Sequence, residues 1–229
     1  MIALTAILMG LATQAPTLPV PPISTLPPGT WRLDVTVVVS ANVPVLGAQT
    51  TTTTSISTVE LDAAGKAVAT PCRVDTNGPG FKSFMPPATL RKLPLTRFAI
   101  VVDGKKVSAD LGEGKVGYRG VGAIPEKADD PRVIDVDGDG KPGTRMLLDI
   151  GAFGEWTLQV VSRGHTVLAG VLDDRGNVAG RPTKLDSEER VLSGLPVGMP
   201  ERTEAIDPRR SSFRLTRLLD DDRSFCRLK

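Results

Sequence analysis

Asp135, Asp137 and Asp139 stand on alternate residues, and Gly140 follows in the sixth position of the run Asp135-Val136-Asp137-Gly138-Asp139-Gly140-Lys141-Pro142-Gly143. Carboxylates at that spacing converge on one point only if the backbone curls, and a glycine permits the curl. Three converging negative charges repel one another, so the arrangement is strained alone and becomes a ligand set around a hard cation. The chemistry read here is ion capture, with an Asp- and Gly-rich surface turn that needs no ion as the plainer alternative.

The run resembles the calcium loops of EF-hand and thrombospondin-type repeats over nine residues. The resemblance implies side-chain ligands from Asp135, Asp137 and Asp139, a backbone carbonyl from Lys141, and Gly140 at the sharp turn. It implies calcium over magnesium, because magnesium keeps more water and takes fewer carboxylates. Met146 stands where an EF-hand carries its bidentate glutamate, and Gly143 stands where the thrombospondin-type pattern often has an aspartate. The site is therefore expected either to be incomplete or to use distant ligands, with Asp129, Asp130 and Asp149 as candidates. A structural ion clamping a loop is expected here, not a catalytic one.

Other catalytic chemistry is poorly supplied, and no catalytic residue is assigned. His165 is the single histidine and falls in an expected turn, Arg163-Gly164-His165. Leu192-Ser193-Gly194 lacks the leading glycine of a nucleophile elbow. Glu188-Glu189 and Asp173-Asp174 are sequence neighbours, which face opposite ways in a strand and suit general acid–base work badly. The net charge of +2 implies no large polyanion partner, and 4% aromatic content offers little stacking surface for nucleic acid.

The elements that must position the loop read as strands. Alternating or β-branched patterns run over 31–40, 50–61, 66–74, 97–102, 105–111, 144–150, 155–162, 166–172, 177–184 and 212–219. Turn signals such as Asp62-Ala63-Ala64-Gly65 and Asp103-Gly104 separate them. The threonine run 50–54 reads as a solvent-facing or edge strand. One short helix is expected over 86–93, between prolines. Many short strands in 229 residues, with one helix, predict an all-β fold: a single antiparallel β-barrel, or else a β-sandwich.

Residues 1–12 read as an export signal, apolar over 2–11 with small residues at Gly10-Leu11-Ala12 for cleavage. That apolar run is too short to span a bilayer. Residues 13–28 are proline-rich and read as an extended linker, which leaves 29–229 as the barrel domain. The two cysteines, Cys72 and Cys226, fit an oxidising compartment, secreted or periplasmic, and are expected to form a disulfide tying the C-terminal tail to the body.

Gly29-Thr30-Trp31, a late arginine and the cysteine pair resemble lipocalins and their calycin relatives. The resemblance implies an eight-stranded barrel with an apolar cavity, closed at one end by Trp31 with Arg214 or Arg217 packed over it. The reading that follows is an exported, non-enzymatic barrel that binds a small apolar ligand inside and carries a calcium-stabilised loop. The alternative is a structural or adhesive surface module that contacts protein or glycan, and a hydrolase ranks third.

Overall fold

The computed structural model describes residues 25–43, 47–194, 203–218 and 224–226. The expected export signal 1–12, and the linker as far as residue 24, lie outside the described residues.

All-β architecture forms as the sequence predicts. The strands are β1 (Gly29–Val43), β2 (Gly47–Leu61), β3 (Lys66–Gly78), β4 (Phe81–Phe84), β5 (Thr96–Asp103), β6 (Lys106–Val116), β7 (Thr144–Asp149), β8 (Glu155–Leu172), β9 (Val178–Ser193) and β10 (Thr203–Arg217). They form one antiparallel sheet, and β1, β2, β3, β5, β6, β8, β9 and β10 pair in that circular order, with β10 returning to β1. Closure removes the exposed edges of an open sheet.

Between β3 and β8 the wall is built twice. The first half of β3 pairs with β5, and β6 completes the bridge to the second half of β8. The second half of β3 pairs with β4, and β7 completes the bridge to the first half of β8. Two connections cross where these patches meet: 85–95 from β4 to β5, and 117–143 from β6 to β7. The first holds α1 (Pro87–Leu90), a single turn where a helix over 86–93 was expected. The second holds the aspartate loop, so the fold brings the two segments together.

Alternation on β1 fills the interior. Trp31, Leu33, Val35, Val37 and Val39 are almost wholly buried, and their opposite numbers on β2 are Val59, Ser57, Ser55, Thr53 and Thr51. The threonine run is therefore not an edge, and only one of its faces meets solvent: β2 is paired on both sides, Thr51 and Thr53 are buried inside the ring, and Thr50, Thr52 and Thr54 are half-buried on the other face. Small hydroxyl side chains sit opposite large apolar ones, and Thr53 and Thr76 hydrogen-bond to each other at 2.8 Å. Among the described residues, the apolar void bounded by Leu33, Phe98, Ile100, Val107, Leu168 and Phe213 amounts to about 20 Å³. That is room for about one water molecule.

The turn expected at Arg163-Gly164-His165 is absent. The strands expected over 155–162 and 166–172 are one strand, β8, with Gly164 opposite Gly114 on β6 and Ser187 on β9. Pairing on both sides holds the glycine extended despite its low strand preference.

Cys72 and Cys226 form the expected disulfide, with Cα atoms 4.9 Å apart. Opposite β2, Ile56 pairs with Arg73 and Ser57 with Pro71, so Cys72 is the extra residue of a β-bulge. A bulge re-aims its side chain, and here the Cys72 sulfur is bonded to the tail segment Ser224–Cys226. The Arg32 guanidinium lies 4.9 Å from the Phe225 ring centroid on that segment.

Candidate metal centre

The loop is curled by its own carboxylates. Asp135 accepts hydrogen bonds from the backbone N–H groups of Gly138 (2.7 Å), Asp139 (3.2 Å) and Gly140 (2.8 Å). Asp139 accepts one from the Lys141 N–H at 2.9 Å. Gly138 and Gly140 take φ of 71° and 80°, the left-handed region such a curl needs. The loop is closed by Val136 N–H to the Gly143 carbonyl (3.1 Å) and Gly143 N–H to the Ile134 carbonyl (3.0 Å). A Cβ on Gly143 would stand 2.9 Å from the Val160 carbonyl, so the loop lies hard against β8.

One carboxylate oxygen from each of Asp135, Asp137 and Asp139 lies within 4.8 Å of the others. Donation from Gly140 N–H holds the Asp135 carboxyl below the usual range; burial opposes this, and the Gly138 and Asp139 N–H groups and the Asp137 side chain reinforce it. Asp135 is therefore ionised at neutral pH. The donor set is all oxygen, which suits hard cations and not zinc or copper. Lys141 is exposed, and its N–H goes to Asp139.

Asp137 is the buried member, its side chain 1% exposed. Its Oδ2 accepts the Thr89 hydroxyl from α1 at 2.7 Å and lies 3.6 Å from Arg145 Nε. Its Oδ1 is buried without a hydrogen-bond partner. Asp139 Oδ2 accepts Gln159 Nε2 at 3.1 Å. Arg145 on β7 and Gln159 on β8 are directly opposite in the ladder and share a face. The loop thus lies over that cross-strand pair, Asp137 beside Arg145 and Asp139 beside Gln159.

The three expected side-chain ligands do come together. The distant candidates do not join them. Asp149 accepts the Gly151 N–H, and Asp130 is held by three hydrogen bonds from Arg132. Asp129 is exposed and outside the three-acid group. Sequence reasoning missed Gln159 and Thr89. The lone amide amid 156–162 was the available signal for the first, and nothing marked the second.

His165 lies on β8 with both ring nitrogens engaged, Nε2 with Asp110 at 2.7 Å and Nδ1 with Lys184 at 3.0 Å. Burial pushes the Asp110 carboxyl up, but the Gly112 N–H, the His165 hydrogen bond and the nearby Lys184 ammonium bring it below its ordinary value. Trp31 is buried and donates its indole N–H to the Pro27 carbonyl at 3.2 Å. Arg217 is opposite Trp31 in the ladder, but its guanidinium reaches the Pro28 carbonyl at 3.5 Å. Among the described residues the cation–π contact found is Arg32 over Phe225, not an arginine over Trp31.

No protein-family model, no curated protein and no solved structure matches this chain.

Proposed function

We propose that this chain is an exported, non-enzymatic β-barrel protein that works through its outer surface as a structural or adhesive module, with a calcium ion stiffening its aspartate loop. The ion takes carboxylate oxygens from Asp135, Asp137 and Asp139 and the carbonyl of Lys141, and its role is to fix loop shape. The observation that carries the reading is the Asp137 carboxylate, buried to 1% exposure with one oxygen lacking any donor. A buried carboxyl oxygen without a hydrogen-bond partner is costly, and a cation drawn by the three-acid group relieves that cost. The Cys72–Cys226 disulfide supports an oxidising destination. The packed apolar cluster around Leu33, Phe98 and Phe213 supports an outer working surface, since its void of about 20 Å³ admits no small apolar ligand there.

The test is thermal unfolding of the chelator-stripped protein with and without calcium. At a calcium concentration of about 100 times Kd the stabilisation is about 2.7 kcal/mol, a Tm rise of about 5–10 °C for a chain of this size. Asp137→Ala removes the rise. Superimposable curves for the unaltered protein in calcium and in chelator overturn the calcium reading.

A further inference from the structure

We infer that Gln159, on the barrel wall, is a ligand of the same ion, so that the cation joins the loop to β8 instead of being held by the loop alone. This rests on the calcium reading above and adds to it the one ligand that no loop motif contains. Two oxygens in this small region are buried and lack donors, Asp137 Oδ1 and Gln159 Oε1. Gln159 is only 2% exposed, so water does not reach its amide freely. Its amide is already aimed at the cluster, with Nε2 3.1 Å from Asp139 Oδ2.

Turning the carboxamide end for end exchanges its nitrogen and oxygen positions and puts Oε1 in that place. Two oxygens on one calcium at 2.3–2.6 Å lie about 2.8–3.4 Å apart along a coordination edge. The 3.1 Å separation is therefore a ligand–ligand distance as well as a hydrogen-bond distance. Arg145 does not substitute for the ion. Its Nε makes only a long ion pair, 3.6 Å from Asp137 Oδ2, the oxygen that already accepts Thr89, and forms no hydrogen bond. The bare oxygen is Oδ1.

Gln159 also answers the gap in the loop. Met146 occupies the position where an EF-hand supplies its last ligand, and it is buried in the apolar cluster with Leu148, Leu158 and Val160. With Gln159 the set becomes three carboxylates, one carbonyl and one amide oxygen. Calcium takes six to eight oxygens, and water completes that number.

The experiment is calorimetric titration of calcium into the chelator-stripped full chain, for the unaltered protein, Gln159→Met and Gln159→Glu. Alongside it, the side-chain carboxamide carbon of Gln159 is followed by NMR in the unaltered protein. Gln159→Met keeps length and loses the oxygen, and we expect a tenfold or greater loss of affinity; Gln159→Glu retains at least the original affinity. The Gln159 carbon signal shifts and saturates at one equivalent, while those of Gln14 and Gln49 stay put. If the unaltered protein binds no calcium, the calcium reading itself falls. If it binds but the Gln159 carbon does not move, or Gln159→Met binds equally well, only the role of Gln159 falls. Where Gln159→Met does not fold, an unmoved Gln159 carbon signal still overturns its role.

Discussion

Removing the disulfide with the paired change Cys72→Ala and Cys226→Ala gives a stability loss whose size follows from the chain. The bond joins residues 154 apart in sequence, so it closes a loop that holds most of the barrel. The loop-closure expression for that length gives about 5 kcal/mol at 25 °C, through restriction of the unfolded chain. The folded ring itself keeps its ladder, because Cys72 is the unpaired residue of a bulge and no β2–β3 pair depends on it. Residual structure in the unfolded chain lowers the figure, and we expect about 3–5 kcal/mol. With a urea slope of about 2–3 kcal/mol/M, the midpoint falls by about 1–2.5 M. The assay is urea unfolding followed by tryptophan fluorescence, with far-ultraviolet circular dichroism to show the native ring is kept. A midpoint shift below about 0.3 M, or two alkylatable thiols in the unreduced parent, refutes the reasoning.

Thr53→Val leaves the buried Thr76 hydroxyl without its 2.8 Å partner and costs about 1–2 kcal/mol. Adding Thr76→Val removes the orphan, so the double variant recovers most of that loss in a denaturant double-mutant cycle; strictly additive losses contradict the pairing. The Asp173 carboxyl is held below its ordinary value by the Asn177 N–H, against burial and with help from the Arg175 N–H. A folded-state value below the unfolded one of about 3.9 stabilises above that pH and is lost as pH falls through the folded value. Asp173→Asn therefore narrows the drop in urea midpoint between pH 6 and pH 3, and an unchanged drop contradicts this.

The β1 alternation from Trp31 to Val39 was legible because every second residue is large and apolar, and burial of one face requires that pattern. The aspartate loop was legible for a related reason: Asp135 bonds to N–H groups three to five residues away, so the curl is local. What the chain hides is long-range. Gln159 reaches Asp139 across 20 residues and Thr89 reaches Asp137 across 48, and only the β7–β8 ladder and the crossing of 85–95 with 117–143 create those contacts. The threonine run misleads because threonine's strand preference does not say which face is buried; ring closure does, by giving β2 a neighbour on each side. Gly164 misleads similarly, since an isolated Arg-Gly-His reads as a turn until β6 and β9 pair along both edges of β8.

A crystal structure determined from crystals grown in calcium, with anomalous scattering recorded, tests the central claim most directly. The account predicts one anomalous peak at the aspartate loop, 2.3–2.6 Å from oxygens of Asp135, Asp137, Asp139, Lys141 and Gln159. Density at that point explained by water, with Asp137 Oδ1 still facing no cation, contradicts it.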